Sequence, residues 1–232
     1  MKIALLGFGK MGKIIAKIAV YRGHEIVYKS SASTQSGNFK DAEIAIEFST
    51  PEAAVTNITK CFKAKIPVVS GTTGWLDQKK AIEEACIQSA GSFIYASNFS
   101  IGVNLFFNLN EHLALLMKPW SDYKVSVEEI HHTEKKDAPS GTAITLVEDI
   151  LPYSDKNTWN LDHTTTDAVS IKSTREADVK GTHSVAFTSK IDTITIKHEA
   201  HSREGFAMGA VIAAEFLVSK KGIFTMKDVL GL

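Results

Sequence analysis

Ile3-Ala4-Leu5-Leu6-Gly7-Phe8-Gly9-Lys10-Met11-Gly12 decides the fold, together with the helical pattern through Ile14, Ile15, Ile18 and Ala19 that follows it. A short apolar run reads as a strand, the three glycines as a tight turn, and the apolar residues after them as one face of a helix. His24 to Tyr28 is the next strand. Strand, glycine turn, helix and strand in this order are the context that a dinucleotide fingerprint requires. Gly7 allows the turn, Gly9 lets a pyrophosphate approach the backbone, and Gly12 permits close packing of helix on strand.

The alternation continues outward from this unit. Ile44 to Phe48 is a third strand, Pro51 to Ala64 a helix, Pro67 to Ser70 a fourth strand, Asp77 to Ser89 a helix and Phe93 to Ala96 a fifth strand. Repeated strand–helix units imply an α/β fold with a parallel sheet, whose ligands bind beyond the carboxyl ends of the strands. The turns at those ends are Ser49-Thr50-Pro51, Gly71-Thr72-Thr73-Gly74 and Ser97-Asn98-Phe99, all of small polar residues that can touch a cofactor.

After Asn98 the pattern changes. Asn104 to Met117 reads as a helix, and Tyr123 to Ile130 alternates apolar with polar residues as a half-buried strand does. Ala168 to Lys172, Thr182 to Ser189 and Thr193 to Glu199 are further strand-like runs, so a second, mixed or antiparallel sheet is expected. Leu151 to Asp167 lacks periodicity and reads as loop, whereas Gly209 to Ser219 returns to a helical pattern that packs back on the first domain. His131 and His132 end the Tyr123 strand, and Asp137-Ala138-Pro139-Ser140-Gly141-Thr142 stops it and starts a helix running to Ile150. The free N–H groups of Gly141 and Thr142, with the helix dipole behind them, suit a carboxylate or phosphate. Lys135 adds a full charge nearby, and a histidine can move a proton near neutral pH.

Composition narrows the classes. Lys plus Arg equals Asp plus Glu at 26 each, so no global field draws the chain to nucleic acid or an anionic membrane. The N-terminal apolar run is interrupted by glycine and reads as a strand rather than a signal peptide, and Ala210 to Val218 is too short for a membrane span. Cys61 and Cys86 are too few for a disulfide framework, which points to reduced thiols and the cytoplasm. No metal is expected: adjacent His131 and His132 project to opposite sides of extended backbone, and there is no HExxH or CxxC pattern. There is also no GxSxG elbow for a serine hydrolase. His183 and His201 fall at strand or strand-end positions and read as structural, while Arg203 admits both a carboxylate-holding role and a surface pair with Glu204 or Glu199.

Glu129-Ile130-His131-His132-Thr133-Glu134-Lys135-Lys136-Asp137-Ala138-Pro139-Ser140-Gly141-Thr142-Ala143 resembles the signature of the 4-hydroxy-tetrahydrodipicolinate reductase family. Gly7 to Gly12, Gly71 to Gly74, Ser97 to Asn104 and Gly222 to Leu230 resemble it too, so the likeness spans the chain. It implies a Rossmann-like dinucleotide-binding domain from 1–98 and 203–232, and a central α+β domain at 99–202 for substrate and oligomerisation, in a homotetramer. It implies His131 as proton donor, with His132, Lys135, Ser140, Gly141 and Thr142 on a small dicarboxylate substrate. It implies Gly71, Thr73, Ala96, Ser97 and Phe99 on the nicotinamide side; the full expected cofactor set adds Gly7, Gly9, Lys10, Met11, Gly12, Lys29, Phe48 and Thr72.

Two departures stand out. Gly7-Phe8-Gly9 is the shorter form of the turn, and Tyr28-Lys29-Ser30-Ser31 lacks the acidic residue that relatives using NADH place after the second strand. One positive charge and two hydroxyls there favour NADPH, with NADH as the alternative. Another oxidoreductase on the same plan would share Gly7 to Gly12 without needing the paired histidines, and a non-catalytic redox sensor would lack His131 or Lys135. Hydride transfer requires domain closure, for which hinges near Asn98 and Ser202 are expected.

Overall fold

β1 (Lys2–Leu6) is buried at every residue after the first, as a strand covered on both faces must be. A computed structural model of the chain, describing residues 1–163 and 165–232, divides it into two units: 1–101 with 204–232, and 102–203.

In the first unit β1 is followed by α1 (Lys10–Tyr21), β2 (Glu25–Ser30), β3 (Gln35–Gly37), β4 (Ile44–Glu47), α2 (Pro51–Lys63), β5 (Val68–Ser70), α3 (Lys79–Gln88) and β6 (Ser92–Tyr95). Its C-terminal part adds α6 (Glu204–Leu217), β12 (Gly222–Phe224) and α7 (Met226–Leu230). The sheet order is β12-β6-β5-β4-β1-β2-β3, parallel except for β3. Chain order reverses between β1 and β4, and that reversal opens the crevice where doubly wound sheets hold ligands. Helix α2 starts on Pro51 at its first turn, where a missing N–H costs nothing.

Two glycines are required by close approach. Gly7 turns the chain at φ +103, and a side chain there would sit 1.9 Å from the Phe48 carbonyl oxygen. Gly209 lets α6 lie on the segment after β6, because a Cβ would come 1.7 Å from the Phe99 carbonyl oxygen. Small residues continue along the same buried side of α6 as Ala207, Ala210, Ala213 and Ala214. The bidentate pair of Arg22 with Glu215, at 2.8 Å for each contact, and His24 at 2.7 Å join the end of α1 to α6.

The second unit carries α4 (Ile101–Met117), β7 (Lys124–His131), α5 (Gly141–Ile150), β8 (Thr158–Leu161), β9 (Ala168–Arg175), β10 (Thr182–Thr188) and β11 (Thr193–Glu199). Its sheet is β11-β10-β7-β9-β8, with β10 antiparallel to both neighbours and the β7–β9–β8 side parallel. A parallel β7–β9 pair needs a crossover, and α5 supplies it. Phe106, Val127, Leu146, Val147, Ile171 and Phe187 are among the residues that fill the core between the helices and the sheet.

Leu151 to Asp167 corrects the reading as loop: Leu151–Tyr153 is a 3-10 turn and Thr158–Leu161 an edge strand. Four residues are too few to show a period, and β8 exists through its pairing with β9. Thr164, within that stretch, lies outside the described residues. The short edge strands β3 and β12 lack a visible pattern for the same reason.

Gly209→Ala is expected to lower stability by about 1–3 kcal/mol, the usual cost of overpacking. Gly205→Ala on the same helix meets only Ser100 Oγ at 3.6 Å and should be neutral or gain up to about 1 kcal/mol. Urea unfolding of the two variants distinguishes a backbone clash from a general intolerance of α6; equal losses would refute the clash.

Candidate functional site

Two adjoining hollows open on the first unit at the carboxyl end of its sheet. One, of about 300 Å³, is lined by Gly7, Phe8, Gly9, Ser30, Ser31 and Phe48 among others. The second, of about 340 Å³, shares Gly9, Phe48 and Ser49 and adds Lys10, Met11, Gly71, Thr72 and Thr73. Gly9 caps α1 with no side-chain hydrogen bond, and a Cβ on it would meet nothing within 4 Å. The first N–H groups of a 12-residue helix therefore face open space, as an anion cradle needs. Gly12 is buried in α1 against Gly7.

A buried carboxylate shapes the floor of this region. Glu47, at the end of β4, is fully buried and accepts from Thr72 Oγ1 at 2.9 Å, Ser70 Oγ at 2.7 Å, the Ser49 N–H at 3.1 Å and the Ser49 hydroxyl. The Thr72 hydroxyl is thus turned inward to Glu47, although Thr72 and Thr73 both border the hollow. Gly71 abuts the Phe48 ring, where any Cβ would clash at 2.2 Å. Phe99 is buried behind Phe48, with ring centroids 5.7 Å apart, and Ala96 packs into the same core. Ser97 follows β6. Ser30 and Ser31 line the hollow, while Lys29 Nζ lies over the Phe8 ring at 5.0 Å.

In the second unit the sheet register assembles the histidine site. Glu129 on β7 lies opposite His183 on β10 and Ser173 on β9, and His131 lies opposite Arg175. Residues two apart on a strand share a face, so Glu129 and His131 point the same way. Glu129 is fully buried. Its Oε1 accepts from Ser173 Oγ at 2.6 Å and Arg175 Nη1 at 3.3 Å, and its Oε2 accepts from the Ser140 N–H at 3.0 Å. Burial alone would raise its pKa, but the adjacent His183 ring and hydrogen bonds from Ser140 and Ser173 outweigh that and hold it well below the usual carboxylate range.

His131 Nε2 lies 3.2 Å from His183 Nε2, which is itself 3.1 Å from Ser140 Oγ. Burial, with His183 next, pushes the His131 pKa down to about 4, so its ring is neutral at pH 7. Ser140 caps α5 by accepting from the Ala143 N–H at 3.2 Å, and a Cβ on Gly141 would meet nothing within 4 Å. The start of α5 therefore faces open space beside the histidines, with Thr142 in its first turn. Lys135 pairs with Asp137 at 2.7 Å, which depresses the Asp137 carboxyl, and Arg175 holds the same loop through the Lys135 and Asp137 carbonyls. His132 follows β7, and its carbonyl accepts from the Lys135 N–H.

His183, expected to be structural, lies with its ring against both His131 and Ser140. Glu129, Ser173 and Arg175 also escape a sequence reading. Their signal is the register of β7 with β9 and β10, which sequence separation hides.

The model of dihydrodipicolinate reductase, N-terminus, matches residues 1–99, and that of dihydrodipicolinate reductase, C-terminus, matches residues 102–230. A 4-hydroxy-tetrahydrodipicolinate reductase of Christiangramia forsetii is 54% identical over 234 residues, covering 100% of this chain and 98% of the relative. Another, from Methanosarcina barkeri, is 35% identical and covers 97% of this chain and 83% of its own. The fold is shared with a solved dipicolinate-bound dihydrodipicolinate reductase from Paenisporosarcina sp. TG-14, at TM-score 0.77, 19% identity and 97% coverage of each chain.

Glu129→Gln should lower stability by about 2–4 kcal/mol, because it leaves Arg175 facing a neutral group inside the sheet. Lys135→Ala removes a pair whose aspartate side chain is 61% exposed and should cost less than about 1 kcal/mol. Chemical unfolding compares the two, and similar losses would show that Glu129 does not organise this sheet.

Proposed function

The chain belongs to the dihydrodipicolinate reductase family and reduces 4-hydroxy-tetrahydrodipicolinate to tetrahydrodipicolinate with NAD(P)H; from that premise we propose that His131 delivers the proton and that Lys135 and the start of α5 hold the substrate. The observation that carries this is the placing of a histidine, a lysine and an open helix N-terminus on one short segment of the second unit. The overall change consumes one reduced cofactor and one proton, and releases one water. Loss of the hydroxyl leaves a conjugated C=C–C=N ring with two carboxylates. The cofactor supplies hydride to that ring.

The chain's own residues do the rest. Gly9, Lys10, Met11 and Gly12 present backbone N–H groups and the α1 dipole to the pyrophosphate, Gly7 makes the turn while its own N–H donates to the Ser30 carbonyl, and Phe48, Gly71, Thr72, Thr73, Ala96, Ser97 and Phe99 form or back the nicotinamide side. Gly141 and Thr142 direct N–H groups to one carboxylate, and Ser140 and His132 complete that side. Lys135 exchanges Asp137 for a substrate carboxylate, so its charge is stored in a weak, exposed pair until substrate arrives. As hydride arrives, the ring becomes electron-rich, and a proton donor with nearby positive charge stabilises that state more than the ground state. His131 is neutral when burial alone sets its charge, and a dianionic ligand beside it favours the protonated ring. Protonation is thereby tied to the presence of substrate.

NADPH is the preferred cofactor in this reading. Ser30 and Ser31 on the lining offer hydroxyls to a 2′-phosphate, and Lys29 above Phe8 offers charge. Four chains assemble through the second unit, whose outer strand β11 leaves Ile194 40% exposed while α4 leaves Leu105, Leu109 and Leu116 exposed. Two buried, free cysteines fit a cytoplasmic enzyme.

His131→Gln should lower turnover by about 10²–10⁴-fold with cofactor affinity near normal, and a variant keeping half its activity would remove His131 from proton transfer. The ratio of kcat/KM for NADPH over NADH should be about 5- to 150-fold, equivalent to roughly 1–3 kcal/mol. Lys29→Glu should collapse it; a ratio untouched by the reversal would refute the role of Lys29. Light scattering should return four chains, and a monomer at working concentration would refute the assembly.

A further inference from the structure

Glu129, His131 and His183 bring three ligating atoms from two strands into one small volume. His131 Nε2 and His183 Nε2 are 3.2 Å apart, and Glu129 Oε2 is 3.6 Å from the first and 3.7 Å from the second. A triangle with those edges has a point about 2.0 Å from all three corners, which is the length of zinc–nitrogen and zinc–oxygen bonds. The two imidazole planes cross at 70° with centroids 5.0 Å apart, less than the nitrogen separation plus two ring radii. The rings therefore meet at an angle rather than stacked, with their Nε2 atoms closer together than their centres.

The surroundings suit such an ion. Ser173 and Arg175 occupy Glu129 Oε1, while the Ser140 N–H fixes Oε2 on the side of the imidazoles. Partners of that kind set the direction of a metal-binding carboxylate. The side chains are 0%, 12% and 5% exposed for Glu129, His131 and His183, so the site is dry and His131 is its most accessible edge.

We propose that Glu129, His131 and His183 form a binding site for zinc or a similar divalent transition metal, and that the bound ion inhibits reduction by holding His131 Nε2. Two imidazoles and one carboxylate select zinc-like ions over magnesium or calcium, which prefer all-oxygen sites. A fourth position remains for water, as in three-ligand zinc sites. Binding stands independently of the catalytic reading; inhibition rests on the role given to His131.

The full-length chain, stripped with a chelator, is titrated with Co²⁺ and read by visible absorption. One equivalent per chain should develop ligand-field bands of low-symmetry, four- or five-coordinate cobalt. Zn²⁺ should abolish them and Mg²⁺ should not. His131→Gln and His183→Ala, each checked for native circular dichroism, should weaken binding by more than about 100-fold, with His112→Ala, an exposed histidine on α4, unchanged. Should His183→Ala not fold, His131→Gln alone carries the comparison, because its side chain sits at the accessible edge of the cluster. Absence of the bands, or bands that survive His131→Gln, would overturn the site. In parallel, the Zn²⁺ concentration that displaces half the cobalt should halve turnover of 4-hydroxy-tetrahydrodipicolinate. Zinc that displaces cobalt without slowing turnover would overturn inhibition while leaving the site, and inhibition with no cobalt bands would place the zinc elsewhere and refute the proposal.

Discussion

A carboxyl group removed from water must be met by hydrogen bonds, and each unit of this chain buries one at or near the carboxyl end of a strand. Glu47 is surrounded by Ser49, Ser70 and Thr72, and Glu129 by Ser140, Ser173 and Arg175. The partners of each acid come from more than one loop or strand. Satisfying one buried acid therefore fixes several segments at once, and these are the segments that line the hollows of the first unit and the histidine cluster of the second.

The consequence is preorganisation. Thr72 cannot turn toward the hollow without leaving Glu47, so the lining is set before any ligand enters. Ser140 serves twice, donating its N–H to Glu129 and capping α5 through its hydroxyl, so the helix start is tied to the acid that also lies beside both histidines. Such a network is worth more than its separate contacts, because removing one member leaves the others buried without partners. Lys135 is the counterexample: its pair with exposed Asp137 is weak, which suits the exchange of partners proposed for it.

The proposed proton transfer and the proposed metal capture draw on one cluster, Glu129, His131 and His183. A proton donor must carry its proton on the imidazole and a metal ligand must not, so in these two proposals proton and metal compete for the same nitrogen beside the same fixed anion. Arg175 on the far oxygen of Glu129 limits how strongly that acid attracts either.

Much of this was legible in the residues. The strand, glycine turn and helix at Ile3 to Ala19 follow from local steric rules, since Gly7 adopts a φ of +103 that side chains disfavour and the apolar spacing matches the helical period. The helix start at Ser140 was equally local, because a hydroxyl that accepts from an N–H three residues on needs no distant partner. What tertiary structure alone decided was every feature that depends on strand register. His183 and Ser173 stand beside Glu129 from 54 and 44 residues away because β10 and β9 pair with β7 in one alignment, and a shift of one residue would turn each side chain to the other face. The edge strands β3, β8 and β12 belong to the same class, being too short to carry a period and existing only through a neighbour's open hydrogen bonds. Sequence by itself determined the local conformations and the chemical inventory; pairing between distant strands decided which of those groups meet.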